Sequence, residues 1–357
     1  MLSTTTTTVT EECAQSHAIP ESLVNKLDPE WVKLWNDHGR YQQRADEVSI
    51  EEYRKDPAAY SFTYPTWPGP DVHDVQDVQV PVTKPEGRIP VRVYTPKGHG
   101  PFPVHFNMHG GGWVLGGLKS EAAWCRSVCD RVGIKVVDID YRMAPEFVFP
   151  AAIHDCWDTV KCFRANAAKF NIMPASISIG GLSAGGHMTA VMSHMARDEG
   201  VDLKLALMVV PSTDLRWSIA SEPLRSEVAS RYPSISLVEN NPWGPRGRMS
   251  WFMDYWVPEQ LGVRQAAVND WMASPMLAEN FTSLARTHIV TAEYDLSRDE
   301  SHVYGDKLRE HGNEVTMKCY QGMPHAFGHY NHPERGMRKS REYVDDTCEM
   351  IRSAHGL

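Results

Sequence analysis

Six short apolar runs, at residues 104–108, 134–139, 177–179, 205–210, 288–291 and 315–320, recur along the chain, with helix-length segments between most of them. Parallel neighbours cannot be joined by tight turns; they need crossovers of a dozen or more residues, almost always right-handed. The rhythm therefore predicts an α/β fold, with a mostly parallel central sheet flanked by helices. Ahead of it the period is two: Val78, Val80 and Val82 alternate, Pro85-Glu86-Gly87 interrupts, and Val91 and Val93 resume, as in a hairpin. Residues 16–60 read as two short helices. Asp28 before Pro29 can cap one, and Ser49 with Glu52 forms a Ser-x-x-Glu box for the other. Trp31, Leu34 and Trp35 share a helical face.

One interval, residues 212–275, is too long for a crossover and carries Trp217, Trp243, Trp251, Phe252, Tyr255, Trp256 and Trp271. It predicts an aromatic subdomain over a site, against the plainer reading of a peripheral packing cluster. Size and charge fit one large domain or two small ones. The 357 residues carry 36 Lys and Arg against 45 Asp and Glu, a net charge of −9, which excludes a basic nucleic-acid footprint. Seven cysteines, with no Cys-x-x-Cys pair, read as free thiols rather than a disulfide framework or zinc knuckle, and Cys125 and Cys129 as core contacts. Residues 1–15 contain five consecutive threonines and neither a basic nor an apolar targeting segment, so a disordered tail is expected. No apolar stretch is long enough to span a membrane, and a soluble, cytoplasmic protein is expected. The sequon Asn280-Phe281-Thr282 is read as an accident of composition.

The chemistry concentrates in two glycine-rich turns. Gly181-Leu182-Ser183-Ala184-Gly185 follows the run 177–179 and opens a helix, which forces a serine hydroxyl out of the sheet onto a helix N-terminus. His109-Gly110-Gly111-Gly112-Trp113 ends the run 104–108, and its glycines can present backbone N–H groups to a developing oxyanion. No Gly-x-Gly-x-x-Gly or Lys-Ser/Thr follows, so nucleotide binding is disfavoured. His109 reads as a loop-fixing residue rather than a base. A serine needs a base, and the base an orienting carboxylate. Asp295 and His325 each follow a late apolar run, with Glu293 and Asp299 as rival acids and His329 and His332 as rival bases. Asp299 reads as a helix-start carboxylate. His325 and His329 have i, i+4 spacing, but Pro324, Gly328 and Pro333 disfavour a helical metal site, and neither metal nor organic cofactor is predicted.

These motifs, with Asp140-Tyr141-Arg142-Met143-Ala144-Pro145-Glu146, Phe149-Pro150-Ala151-Ala152, Ser274-Pro275 and His325-Ala326-Phe327, resemble the hormone-sensitive-lipase-like group of α/β-hydrolases, from about residue 80 onward. The resemblance implies Ser183 as nucleophile, Asp295 as acid, His325 as base and Gly111, Gly112 and Ala184 as oxyanion-hole amides. It also implies a helical cap from residues 16–60 and 212–275 on a catalytic domain, 61–357, and a scaffolding role for Asp140, Arg142 and Glu146. One departure stands out: the family usually carries Asp or Glu directly before the serine, where this chain has Leu182. The expected activity is hydrolysis of short to medium hydrophobic carboxylic esters, with Trp113, Leu182, Trp251, Phe252 and Trp256 touching the substrate. Acyl transfer, or hydrolysis of lactones or secondary-metabolite esters, on the same triad, and small-molecule binding without catalysis on the same fold, are the alternatives. A small-molecule ester is the expected partner, with homodimerisation left open.

Overall fold

The computed structural model describes residues 17–60, 67–325 and 327–357, so the expected tail at 1–15 lies outside the described residues. Its frame is one eight-stranded sheet: β1 (Asp74–Thr83), β2 (Glu86–Thr95), β3 (Phe102–Met108), β4 (Lys135–Ile139), β5 (Ile172–Leu182), β6 (Leu205–Val209), β7 (Thr287–Tyr294) and β8 (Val315–Pro324). The strand order is β1-β2-β4-β3-β5-β6-β7-β8, antiparallel for β1–β2 and β2–β4 and parallel elsewhere. The hairpin turns one residue pair earlier than the sequence suggested. Thr83 already pairs with Glu86, so Lys84 and Pro85 make the turn and Glu86 and Gly87 belong to β2. β5 is longer than the apolar run 177–179, extending through Gly181 and Leu182 to the serine.

The central strands are apolar on both faces because helices cover both. Along β6, Leu205, Leu207 and Val209 enter one core and Ala206 and Met208 the other, the period-two division of a strand between two layers. The flanking helices are α1 (Ala122–Val132), α2 (Ala151–Ala165), α3 (Ala184–Asp198), α4 (Arg298–Glu310) and α5 (Arg338–His355). α3 packs behind β5 and β6, and α5 against α1.

The N-terminal region is more broken than two helices. Pro29–Leu34 is capped by the Asp28 carboxylate, which accepts from the Glu30 N–H at 2.9 Å, and runs on into a π-turn, Trp35–Gly39. Ile50–Lys55 begins with the Ser49 hydroxyl accepting from the Glu52 N–H at 3.2 Å. Between β6 and β7 lie several short helices and one longer one, Arg246–Trp256. The N-terminal segment and this insertion meet: the Trp251 indole donates to the Val48 carbonyl at 2.9 Å, and the Ile50 N–H to the Tyr255 hydroxyl at 3.1 Å.

Two fully buried histidines make the fold acid-sensitive. Burial pushes His105, on β3 against Ser178, and His187, on α3 against the Ala273 carbonyl, down to about 3 from an ordinary 6.5. Both stay neutral in the folded chain while the unfolded chain protonates below 6.5, so their contribution is intact above that pH and lost as pH falls towards 3. At pH 5 the loss is on the order of 2 kcal/mol for each. Buried Asp138, whose carboxyl is pushed up to about 8 by burial, works in the opposite direction, so the check is a comparison: the urea midpoint is expected to shift downward more between pH 7 and pH 5 in the wild type than in His187→Asn. A variant whose midpoint shifts as much as the wild type's would contradict the assignment.

Candidate active site

Ser183 stands where β5 turns into α3, with φ 58° and ψ −112°, a strained conformation for a residue with a side chain. The turn is held by the Ser183 N–H donating to the Val209 carbonyl at 2.8 Å and by the His187 N–H donating to the Ser183 carbonyl at 2.9 Å. Two residues on, Gly185 is needed for close approach, since a Cβ there would lie 1.8 Å from the Met108 carbonyl oxygen at the end of β3. Small residues let the strand, the turn and the loop after β3 cross.

His325, just past β8, bridges the other two groups. Its Nε2 is 2.8 Å from Ser183 Oγ and its Nδ1 2.8 Å from Asp295 Oδ2. Asp295, just past β7, is 2% exposed, and its other oxygen accepts from the Ser297 N–H at 3.0 Å. Each rival is engaged elsewhere. Glu293 accepts from the Gly322 N–H at 2.6 Å, and Asp299, in the first turn of α4, takes the Ser234 N–H at 2.6 Å and pairs with Arg298. His329 meets Glu121 at 2.9 Å, and half-buried His332 accepts from the Glu334 and Arg335 N–H groups.

The loop after β3 faces the serine. Among the described residues the N–H groups of Gly111 and Gly112 make no hydrogen bond within the chain, and Ala184 lies in the first turn of α3, where an N–H has no intrahelical acceptor. Gly112 has φ 61°, and a Cβ on it would lie 2.4 Å from the Phe252 ring. His109 fixes the loop, stacked on Tyr141 at 4.1 Å and bonded through Nδ1 to the Gly110 carbonyl at 2.8 Å. Arg142 pairs with buried Asp155 at 2.6 Å, and Arg54 with Glu146, and none of the four lines the cavity at the serine.

Ser183, Asp295 and His325 open into a cavity of about 330 Å³. Of the five side chains expected to touch substrate, Trp113, Leu182 and Phe252 line it. Trp251 and Trp256 do not. Trp256 is 1% exposed and stacks on Trp113 at 3.9 Å, so it backs the wall instead of forming it, and Trp251 is turned to Val48 by its indole hydrogen bond. The expectation missed the contribution of the N-terminal segment, where Trp31, Trp35, Arg44, Tyr53 and Tyr60 also line the cavity. Their sequence signal was the apolar face at 31–35, which reads equally well as ordinary packing. Among the described residues no group of three or more His, Cys, Asp or Glu is arranged to hold a metal, the six cysteines are free, and no helix is long and apolar enough to cross a membrane.

A sequence model of the α/β-hydrolase fold matches residues 105–329, which hold both glycine-rich turns, Asp295 and His325. The chain is 34% identical over 264 residues to the carboxylic ester hydrolase LipN of Mycobacterium tuberculosis (73% of this chain, 66% of that protein). It is 31% identical over 293 residues to an arylesterase of Saccharolobus solfataricus (80% and 83%). The solved esterase of Pyrobaculum calidifontis superposes with a TM-score of 0.68 at 30% identity, covering 79% of this chain and 86% of that one. With the strand order, the serine turn and these likenesses in agreement, the chain belongs to the hormone-sensitive-lipase-like type of the α/β-hydrolase fold family.

Proposed function

We propose that this chain is a serine carboxylic ester hydrolase working through an acyl-enzyme. The observation that carries the reading is the unbroken hydrogen-bonded line Ser183–His325–Asp295 opening into an aromatic cavity. His325 Nε2 takes the Ser183 proton as Oγ attacks the ester carbonyl carbon, and Asp295 holds the ring in that orientation and offsets its positive charge. The carbonyl oxygen becomes an oxyanion beside the N–H groups of Gly111, Gly112 and Ala184. Collapse expels the alcohol oxygen, which receives the proton from His325. Water, deprotonated by the same nitrogen, then attacks the acyl carbon, and Ser183 leaves with the proton while the free acid departs.

The substrate reading follows from the lining. Trp113 and Phe252 line the cavity with Trp31, Trp35, Tyr53 and Tyr60, so apolar groups gain roughly 25 cal/mol per Å² buried. A cavity this small favours short to medium acyl chains. Intact mass after incubation with a fluorophosphonate tests the reading: one adduct on the wild type, none on Ser183→Ala, and a rate on p-nitrophenyl esters that declines at long acyl length. Folded wild-type protein that takes no adduct would overturn it.

A further inference from the structure

We infer that Glu121 and His329 form a positioning pair for the oxyanion loop, taking the place of a polar residue before the nucleophile; the inference rests on the esterase reading above. Glu121 immediately precedes α1, and its side chain is 5% exposed. One of its oxygens, Oε1, accepts from both the Gly110 N–H at 3.2 Å and His329 Nε2 at 2.9 Å. Gly110 directly precedes the glycines whose N–H groups face Ser183. His329 closes the short turn Phe327–His329 that follows His325, a turn anchored by the Ser340 hydroxyl donating to the Phe327 carbonyl at 2.7 Å. A single carboxylate oxygen thus ties the loop of oxyanion donors to the loop of the base.

Two further observations favour a catalytic purpose over a packing one. The second oxygen, Oε2, is buried and has no hydrogen-bond partner among the described residues. A half-satisfied buried carboxylate weakens a fold, so its presence calls for a gain elsewhere. The residue before the serine supplies no such tether. Leu182 offers no hydrogen bond and packs directly on the loop, its Cδ2 2.9 Å from where a Cβ on Gly110 would stand. Leu182, Glu121 and His329 together line one small chamber. The polar tether therefore arrives from the start of α1. His329 has a second task in this arrangement: an unpaired carboxylate one residue from the oxyanion donors would oppose the charge that develops there, and the hydrogen bond donated by His329 Nε2–H disperses part of it.

Donors aimed at the oxyanion act on the transition state and hardly on the bound ester, so the pair acts on kcat rather than KM. In steady-state hydrolysis of p-nitrophenyl butyrate, Glu121→Ala is expected to lower kcat on the order of 30-fold with KM within about threefold. Glu121→Gln keeps an oxygen for the Gly110 N–H and is expected to recover most of that loss. His329→Ala is expected to lower kcat as well, and the double variant to be no worse than Glu121→Ala alone, as for residues acting as one unit. Unchanged kcat in Glu121→Ala, or a loss that Gln fails to restore, overturns the inference. Should Glu121→Ala not fold, His329→Ala decides, and wild-type kcat there overturns it. Hydrolysis by the wild type that disappears in Ser183→Ala secures the underlying reading, so these outcomes bear on the pair alone.

Discussion

Ser183→Ala is expected to cut kcat/KM for a simple ester by about 10⁴- to 10⁶-fold while leaving the thermal midpoint near that of the wild type. The reason lies in the proposed mechanism: there the covalent path ends with the nucleophile, and what would survive is only the positioning and charge stabilisation supplied by the loop and cavity. His325→Ala is expected to fall in the same range, because without Nε2 at 2.8 Å the hydroxyl keeps its proton. Asp295→Asn is expected to lose about 10⁴-fold, since an amide facing Nδ1 favours the tautomer whose Nε2 cannot accept. The Ser183→Ala/His325→Ala double variant is expected to be no slower than either single one. Residual Ser183→Ala activity above one hundredth of wild type, on protein free of contaminating esterase, would remove Ser183 from the mechanism.

Gly185→Ala is expected to damage both fold and activity. The added carbon would meet the Met108 carbonyl oxygen at 1.8 Å and its carbon at 2.7 Å. Both are backbone atoms of β3, so no side-chain rotation relieves the clash, and the start of α3 must move away from the strand. That movement carries Ser183 away from the loop holding Gly111 and Gly112. The expected cost exceeds about 4 kcal/mol, the range reached by only a few severe mechanisms, and any soluble protein should hydrolyse esters at least 100-fold more slowly. Gly247→Ala is the matching control. It lies in the helix Arg246–Trp256 with nothing within 4 Å of its added carbon, so the change is expected to be neutral or to stabilise by roughly 0.5 kcal/mol. Thermal melts and initial rates of the two variants check this, and a Gly185→Ala protein indistinguishable from wild type would refute the steric account.

Much of this molecule was legible in advance where cause and effect lie within a few residues. Apolar runs became β3 to β8, and in β3 to β7 they are there because a strand buried on both faces needs them. Asp28 and Ser49 cap helices because a short polar side chain can reach an N–H two or three residues on. The turn at Ser183 follows from a strand, small residues and a helix in immediate succession. Errors of detail are local in the same sense: pairing across the hairpin begins at Glu86 because register is set by the partner strand as much as by Pro85.

What the sequence determined by itself, then, was the α/β frame and a short set of candidates at strand ends, Ser183 against two acids and two histidines besides Asp295 and His325. Tertiary structure alone decided which of them meet. Ser183 and His325 are 142 residues apart, and Glu121 and His329 are 208 apart; contacts over such spans leave no periodic trace along the chain. Folding likewise turned Trp256 into the backing of Trp113 and brought Trp31, Tyr53 and Tyr60 into the cavity wall. Propensity and capping act within a turn or two of chain, whereas a site is assembled by the packing of layers, which depends on every element at once.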